Sequence, residues 1–314
     1  MAKILINDGI HPTGQKMLEE AGFEVNMNKI SQDDLEARLP EYDAICVRSA
    51  TKVRESLISA CPNLKVIGRG GVGLDNIDVD FAKSKGIAVV NTPAASSRSV
   101  AELAFGHMLS VARNLYKSNR HMPKDGTTEF KALKKSYSKG FELSGKTLGV
   151  IGLGRIGQEA IKIALGMGMN VVGVDPYAED VTVELNIGGT KVSAPVKKVS
   201  MDEMLAQADI ITLHIPFTGH PVLSNSEFAK MKDGVILVNA SRGGTVDEEA
   251  LLAALESDKV RAAGLDVFEN EPTPREALLQ HPNVSCTPHI GASTGEAQEN
   301  IGIELAEKLI AHLS

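Results

Sequence analysis

Short apolar runs alternate with helical patterns through the first hundred residues. The runs bounded by Gly, Pro or Asn predict strands over residues 3–7, 23–27, 44–47, 64–68 and 88–91. Apolar positions at helical spacing predict helices over 13–21 and 31–39. Strands that alternate with helices indicate βαβ units and therefore a parallel sheet.

A longer helix is predicted to begin near Ser97. Apolar residues recur on one face from Val100 to Leu115, at the 3.6-residue spacing of a helix packed against a core. His107 falls on this apolar face. We interpret His107 as a core histidine, because a lone histidine in such a stripe is more often packed than ligating.

A second alternating series begins at Lys146 and is richer in valine and isoleucine. Its predicted strands cover residues 147–151, 171–174, 210–214, 235–239, 262–266 and 284–287. Nearly continuous apolar strands are typical of a parallel sheet buried on both faces. Ser200 to Glu203 has the S-x-x-E form of a capping box, and residues 176–199 are long enough for an extra hairpin.

The last helix is predicted to open with a second capping pattern at residues 293–296. Since it follows the final strand, it could return to the N-terminal sheet and make that domain discontinuous. The whole pattern predicts an α/β protein with two doubly wound parallel-sheet domains, Rossmann-like or flavodoxin-like. We assign residues 1–96 and 291–314 to one domain, and residues 97–290 to a second domain inserted into it.

Composition narrows the classes of function. The net charge is −7 with both signs interspersed, so neither nucleic acid nor an anionic membrane surface is expected as a partner. The N-terminal apolar run is too short for a signal sequence, and no stretch approaches the roughly 20 apolar residues that span a bilayer. The three cysteines form no CxxC pair, so we expect no disulfide framework, no metal site and a cytoplasmic location.

The segment from Thr147 to Gly157 combines a strand, a G-x-G-x-x-G turn and the start of a helix. Gly152 would form the turn, Gly154 would admit a pyrophosphate, and Gly157 would let the helix pack on the strand. Asp175, at the tip of the next strand, suits both ribose hydroxyls and would repel a 2′-phosphate. The pattern therefore predicts NAD as cofactor. A surface glycine turn with a capping aspartate is the alternative.

Polar residues follow the other strands of the second series, where open parallel sheets bind ligands. Arg242 could clamp a carboxylate, although a surface salt bridge is the alternative. His289 could exchange a hydroxyl proton near neutral pH, and Glu271 is the best candidate for its carboxylate partner. His214 is expected to line the cofactor site. The remaining histidines are interpreted as loop, turn or solvated residues: His281, His220, His11, His121 and His312.

Cations also follow strands of the first series. Arg48 and Lys52 flank the hydroxyl residues Ser49 and Thr51, and Arg69 follows the next strand. Two cations and two hydroxyls so close together suit a phosphate better than a carboxylate alone. Taken singly, each cation is better explained structurally, Lys52 as solvated, Arg48 as paired with an acid and Arg69 as capping a turn, because exposed basic residues are mostly solvated.

These residues identify a resemblance to the D-isomer-specific 2-hydroxyacid dehydrogenases. The matching segments are residues 47–52, 66–76, 91–93, 147–157, 239–244, 264–268 and 288–294. Within the family, the motifs are most similar to those of enzymes that oxidise 3-phospho-D-glycerate to 3-phosphooxypyruvate, the first step of L-serine synthesis. The resemblance implies a catalytic triad of Arg242, Glu271 and His289, an NAD cofactor, and a homodimer formed through the NAD-binding domains.

The resemblance also implies the ligand-binding residues. Residues 97–290 would bind NAD, and the discontinuous domain would bind the substrate, with backbone N–H groups of Gly70 and Gly71 holding its carboxylate. The residues expected at NAD are Val72, Gly152, Gly154, Arg155, Ile156, Gly157, Asp175, His214, Ile215, Pro216, Ala240, Ser241, Arg242, Asp266, His289, Gly291 and Ala292. The residues expected at the substrate are Arg48, Ser49, Lys52, Arg69, Gly70, Gly71, Arg242 and His289.

Two alternative functions stay open at this point. One is another reaction of the family, such as glyoxylate or hydroxypyruvate reduction, which needs no cations for a phosphate. The other is a non-enzymatic, NAD-sensing scaffold similar to a corepressor, against which the complete triad counts. Longer members of the 3-phosphoglycerate branch carry a C-terminal regulatory domain that binds an amino acid. Because this sequence ends at Ser314, we expect no feedback control by serine through such a domain.

Overall fold

The computed structural model describes residues 1–314. Contacts divide the chain into two compact units: unit 1 comprises residues 1–99 and 292–314, and unit 2 comprises residues 100–291. Each unit is built on its own parallel sheet. No helix combines the length and the apolar character needed to cross a membrane.

Unit 1 contains a five-stranded parallel sheet. Its strands are β1 Lys3–Ile6, β2 Glu24–Asn26, β3 Ala44–Val47, β4 Val66–Arg69 and β5 Ala88–Asn91, in the order β2-β1-β3-β4-β5. The helices between them are α1 Pro12–Glu20, α2 Leu35–Arg38, α3 Glu55–Ala60 and α4 Val79–Ser84. The C-terminal helix, Gly295–Leu313, packs on α1, β4 and β5, so both faces of the sheet are covered. This explains why the central strands β1, β3 and β4 are almost wholly buried, and why β3 is apolar along its whole length.

Unit 2 contains a seven-stranded parallel sheet and one hairpin. The helices up to the hairpin are α5 Ser97–Ala112, whose first turn still belongs to unit 1, α6 Leu115–Asp125, α7 Phe130–Ser136 and α8 Arg155–Gly166. The strands are β6 Thr147–Ile151, β7 Asn170–Val174, the hairpin β8 Thr182–Ile187 with β9 Thr190–Pro195, β10 Lys197–Lys198, β11 Ile210–Leu213, β12 Val235–Asn239, β13 Val260–Leu265 and β14 Val284–Cys286. The remaining helices are α9 Met201–Gln207, α10 Asn225–Lys230, α11 Glu248–Glu256 and α12 Glu276–Gln280.

The strand order of the larger sheet is β10-β7-β6-β11-β12-β13-β14. The chain builds outward from β6 through β7 to β10, and then returns to the other side of β6 at β11. Such a reversal opens a crevice at the carboxyl ends of the two central strands, where doubly wound sheets bind ligands. The topology therefore directs attention to the loops after β6 and β11.

Several local predictions are confirmed. The extra hairpin forms within residues 176–199, and Ser200 with Glu203 makes both hydrogen bonds of a capping box. His107 is 3% exposed, as expected of a core histidine. The predicted strands lie within two residues of the observed ones.

Other predictions are wrong for identifiable reasons. The helix predicted over 31–39 begins only at Leu35, because residues 32–34 form a turn in which the Ser31 side chain bonds Asp34. Its end tightens to a 3₁₀ turn, Leu39–Glu41, where Pro40 has no N–H to donate to an earlier carbonyl. The long helix ends at Ala112, since Asn114 adopts a left-handed φ of 54°. Leu115 therefore begins α6 and is 53% exposed instead of lying on the buried face.

Two helix N termini also differ from expectation. Thr294, not Ser293, caps the C-terminal helix, where its hydroxyl accepts the N–H of Ala297 at 3.1 Å. His11, which the sequence suggested was solvated, is half-buried and caps α1 by accepting the N–H of Thr13.

Helices α6 and α7 were not predicted, because both are predominantly polar and short, and α6 contains Pro123, a residue that normally ends a helix.

Candidate active site

The turn after β6 has the geometry required to hold a dinucleotide. Gly152 has a φ of 94°, and a Cβ on it would lie 2.5 Å from the carbonyl oxygen of His214. A Cβ on Gly157 would lie 2.0 Å from the carbonyl oxygen of Gly152, so only glycine lets α8 approach the turn this closely. At Gly154 a Cβ would meet nothing within 4 Å, which leaves open space beside the start of α8.

That open space fits the diphosphate of NAD. Helix α8 begins at Arg155, so the N–H groups of Arg155, Ile156 and Gly157 belong to the first turn and have no partner within the helix. N–H groups at a helix N terminus, with the partial positive charge of the helix dipole, favour an anion. The glycine turn and the first turn of α8 thus supply the donors that a pyrophosphate needs.

Asp175 follows β7 but turns its carboxylate onto the backbone. One oxygen accepts the N–H of Leu153 at 2.9 Å, and the other accepts those of Tyr177 and Ala178 at 2.8 and 3.1 Å. Burial raises the pKa of Asp175, but these N–H groups together outweigh burial and the pKa is lowered. The carboxylate is therefore ionised and already oriented, and about one of its roughly four acceptor sites is left for a ribose hydroxyl.

His214 lies at the tip of β11, beside the glycine turn. Its Nδ1 is buried with no hydrogen-bond partner, and its Nε2 is 3.2 Å from the hydroxyl of Thr212. Burial lowers the pKa of His214 to about 4, so the ring is neutral near pH 7. Ile215 and Pro216 continue the same loop.

Asn239, which the sequence analysis missed, holds the loop that carries Arg242. It is 3% exposed, and its Oδ1 accepts both the N–H and the hydroxyl of Ser241, at 3.0 and 2.7 Å. Its Nδ2 donates to the carbonyl of Arg242 at 3.1 Å, and the Thr245 hydroxyl donates to the same carbonyl at 2.7 Å. The position of Asn239 at the end of an apolar strand was the available signal.

These contacts change what some predicted residues can offer. The Ser241 side chain is buried and bonded to Asn239, and Ala240 is buried as well, so at these two positions the backbone is left for a ligand. Arg242 is half-buried, and its Nη1 donates to the Ser241 carbonyl at 2.7 Å. That hydrogen bond restrains the direction of the guanidinium.

Gly243 brings the Arg242 loop against the loop that carries Glu271. A Cβ on Gly243 would lie 1.9 Å from the carbonyl oxygen of Phe268 and 2.9 Å from the nitrogen of Glu269. No side chain fits at that distance. The absence of a side chain at Gly243 therefore sets how closely the two loops approach each other.

The structure brings the predicted pair of Glu271 and His289 together. His289 Nδ1 lies 2.7 Å from Glu271 Oε2, while Glu271 Oε1 accepts the N–H of Phe268 at 3.0 Å. Burial raises the pKa of Glu271. The hydrogen bond and charge of His289, the Phe268 amide and the Arg242 charge outweigh burial, so the pKa is lowered overall. An ionised Glu271 can only accept, so Nδ1 of His289 carries the hydrogen of this bond, and in the neutral form of the ring Nε2 is the nitrogen that can accept a proton.

Asp266 anchors the loop that leads to His289 and beyond. It is 1% exposed, and one oxygen accepts the Thr287 hydroxyl at 2.6 Å and the Ile290 N–H at 2.8 Å. The other oxygen accepts the N–H of Gly291 at 2.8 Å. Gly291 was expected to contact NAD, and this hydrogen bond already uses its N–H. Contact between Asp266 and the cofactor stays a prediction, with about one acceptor site left to make it.

In unit 1, Asp8 organises the loop after β3. One oxygen accepts the N–H groups of Arg48 and Thr51 at 2.7 and 3.0 Å, and the other accepts the Thr51 hydroxyl at 2.8 Å. Thr51 is buried, so its hydroxyl is not available to a phosphate as the sequence suggested. Ser49 and Lys52 are exposed, and the Lys52 backbone pairs with Gln32.

Arg48 lines a cavity of about 250 Å³ together with Asp8, His11 and Gln298. Gly70 also lines it, but the N–H of Gly70 donates to the Val47 carbonyl at 2.9 Å. The expectation that this N–H holds a substrate carboxylate is therefore wrong.

Arg69 lies at the end of β4, against the glycine that follows it by two residues. The Arg69 guanidinium folds back over Gly71, occupying the space where a Cβ of Gly71 would be, and Gly71 has a φ of 140°. The carbonyl oxygen of Val72 accepts a hydrogen bond from Nδ2 of Asn91 at 2.6 Å. Val72 and Ala292, both expected at NAD, belong to unit 1.

Comparison with known proteins supplies the family. Residues 105–291 match the model of the D-isomer specific 2-hydroxyacid dehydrogenase, NAD binding domain. The chain is 47% identical to a hydroxypyruvate reductase of Thermotoga maritima, over 99% of this chain and 98% of that protein. It is 46% identical to a D-3-phosphoglycerate dehydrogenase of Methanocaldococcus jannaschii over 98% of this chain, and it spans 57% of that protein's length.

Solved structures agree with the sequence relatives. A glyoxylate reductase from Paecilomyes thermophila is 31% identical with a TM-score of 0.82, covering 98% of this chain and 94% of that one. The TT0316 protein from Thermus thermophilus is also 31% identical, with a TM-score of 0.86 over 99% and 96%. The chain therefore belongs to the NAD-dependent, D-isomer-specific 2-hydroxyacid dehydrogenases.

Proposed function

We propose that this dehydrogenase oxidises 3-phospho-D-glycerate to 3-phosphooxypyruvate, the first step of L-serine synthesis. The observation that carries the proposal is the unit 1 cavity lined by Arg48 and His11, at the carboxyl edge of the smaller sheet. An arginine fork suits phosphate oxygens, and Asp8 holds its loop in place. Identity of 41–46% to D-3-phosphoglycerate dehydrogenases supports the same substrate.

The chemistry assigned to unit 2 uses three side chains. Arg242 binds the substrate carboxylate and polarises the C2 oxygen. His289 takes the hydroxyl proton on Nε2, since Nδ1 is held by Glu271, and Glu271 stabilises the resulting imidazolium. NAD, when bound, would accept the hydride that leaves C2. In the reverse direction, protonated His289 returns its proton to the oxygen.

The substrate assignment is tested by Arg48→Ala. Loss of one charge-assisted hydrogen bond should raise KM for 3-phosphoglycerate about tenfold or more, while barely changing KM for hydroxypyruvate. Both KM values can be measured by steady-state kinetics, from NADH formation with 3-phosphoglycerate and NADH consumption with hydroxypyruvate. Lys29→Ala is the matched control, because this exposed lysine of the same unit lies outside the cavity and was not expected at the substrate. Equal losses on both substrates would instead assign Arg48 to the carboxylate or to the fold.

Hydroxypyruvate reduction is the second candidate. It is favoured by the 47% identity to a hydroxypyruvate reductase over nearly the full length of both proteins. The wild-type enzyme in the same assay separates the two. A kcat/KM for hydroxypyruvate well above that for the phosphorylated pair, together with an unaffected Arg48→Ala enzyme, would replace the first proposal by the second.

The choice of NAD over NADP is assigned to Asp175. Asp175→Ala should weaken NAD binding and relax discrimination against NADP, because the carboxylate that repels a 2′-phosphate is gone. Dissociation constants for NADH and NADPH, measured by titration, would follow both effects. Comparable binding of the two cofactors by the wild-type protein would contradict the assignment.

We further propose a homodimer formed through unit 2, in the reducing cytoplasm. Helices α5 to α7 expose four large apolar side chains, of Leu109, Leu115, Met122 and Phe130, each at least 38% exposed. Exposed large apolar side chains are available to pack against a partner chain. A second copy of this chain is the partner that the family resemblance implies.

A further inference from the structure

A buried hydrogen-bond chain lies behind the loop that carries His289. His107, on α5, has its Nδ1 3.1 Å from the hydroxyl of Ser285 and its Nε2 2.9 Å from the hydroxyl of Thr287. The Thr287 hydroxyl donates to Asp266 at 2.6 Å. Asp266, Ser285 and His107 are each less than 10% exposed, so water cannot replace these contacts cheaply.

The direction of each hydrogen bond follows from the last acceptor. A carboxylate has no hydrogen to give, so the single hydroxyl hydrogen of Thr287 goes to Asp266. Thr287 must then accept from His107, which places the ring hydrogen on Nε2. The neutral ring accepts on Nδ1, and Ser285 is the donor. All the donors therefore point toward Asp266, an arrangement in which successive hydrogen bonds strengthen one another.

The hydrogen-bond chain ends at Asp266, beside a strained backbone segment at His289. His289 has a φ of 54°, a left-handed conformation that is strained for a non-glycine residue. The next two N–H groups, of Ile290 and Gly291, both bind Asp266 at 2.8 Å. The carboxylate thus holds the residues that directly follow His289 in the conformation that the strained residue requires.

A glycine in strand β13 leaves the space that His107 occupies. A Cβ on Gly264 would lie 2.5 Å from the Cβ of His107 and 2.9 Å from its ring. Glycine at this position makes room for the imidazole, two residues before Asp266 on the same strand and loop. The histidine is therefore accommodated specifically by its neighbour.

We propose that His107 and Thr287 are positioning residues of the dehydrogenase reaction. They orient the Asp266 carboxylate, and Asp266 holds the 287–291 loop so that Nε2 of His289 faces the substrate. The inference rests on the role proposed for His289 as the proton acceptor. It does not depend on which 2-hydroxy acid is the substrate.

Thr287→Val and Thr287→Ser form the decisive pair. Valine matches threonine in shape but lacks the hydroxyl, whereas serine keeps it. We expect Thr287→Val to lower kcat about tenfold or more, with the substrate KM changed less than about threefold. Thr287→Ser should keep kcat within about threefold of the wild type. A merely structural role would lower the melting temperature without this split between kcat and KM.

His107→Leu and His107→Gln extend the test to the other end of the chain. Leucine should reproduce the kcat loss, while glutamine, whose amide can still donate to Thr287, should recover most of it. Phe105→Leu is the control, because it disturbs the same buried helix outside the hydrogen-bond chain. If folding of His107→Leu fails, the threonine pair and His107→Gln carry the test.

Three results would overturn the inference: wild-type kcat in Thr287→Val, equal impairment of the serine and valine variants, or an equal kcat loss in Phe105→Leu. Each variant is compared with the wild type on whichever 2-keto acid the wild type reduces best. Failure of the substrate proposal appears in the wild-type enzyme alone, as absent turnover of 3-phosphoglycerate. The two failures are therefore distinguishable.

Discussion

Replacing His289 by glutamine should lower kcat by roughly 10²- to 10⁴-fold in both directions, the range attributed to a positioned acid or base. Glutamine can still donate a hydrogen bond to Glu271, but it cannot take up the hydroxyl proton. The His289 side chain is 45% exposed, so the melting temperature should change little. Steady-state kinetics of oxidation and reduction, with thermal unfolding alongside, would measure both effects.

His220→Gln is the control for the His289 prediction, because His220 is an exposed histidine on a turn of the same unit. It should leave kcat unchanged. The binding of NADH, measured by fluorescence titration, should be preserved within a few-fold in His289→Gln. A His289→Gln enzyme with a kcat within about threefold of the wild type would remove His289 from proton transfer.

Gly243→Ala should disable the enzyme through geometry alone. The new Cβ would begin 1.9 Å from the Phe268 carbonyl oxygen, and neither partner is a flexible side chain. The Arg242 loop and the Glu271 loop must then separate. A displacement of about 1 Å between catalytic groups costs on the order of 10²-fold in rate, and overpacking costs about 1–3 kcal/mol in stability. We expect kcat/KM to fall by about that factor and the melting temperature to fall with it.

Gly166→Ala is the matched substitution for Gly243→Ala. A Cβ at Gly166, in helix α8, would meet nothing within 4 Å, and alanine in a helix is favoured over glycine by about 0.5–1 kcal/mol. This variant should be as active as the wild type and no less stable. If Gly243→Ala kept full activity, the close approach of the two loops would have no catalytic importance.

The sequence alone predicted elements whose pattern is local. Strands Ala44–Val47, Thr147–Ile151 and Val235–Asn239 were predicted with their observed bounds, because each is a short apolar run between residues that break strands. Helices α6 and α7 were missed because they are predominantly polar and α6 contains Pro123, so their composition is typical of a loop.

The sequence also identified the residues of the candidate site before their contacts were known. In a parallel sheet the carboxyl ends of all the strands meet at one edge, so the residues that follow each strand are brought close together. That rule selected Arg242, Glu271 and His289, and the structure gives the last two a hydrogen bond of 2.7 Å. Their catalytic roles, and the roles of Arg48 and Asp175 at the ligands, stay predictions.

Only the tertiary structure decided which polar groups remain available to a ligand. The Thr51 hydroxyl is bound by Asp8, 43 residues away in the chain, and the Gly70 N–H is bound by the Val47 carbonyl. Asp266 contacts residues 21 to 25 positions further on, while His107 reaches Thr287 across 180 positions. A hydrogen bond depends on distance in space, and no local pattern of residue types records partners so far apart in sequence.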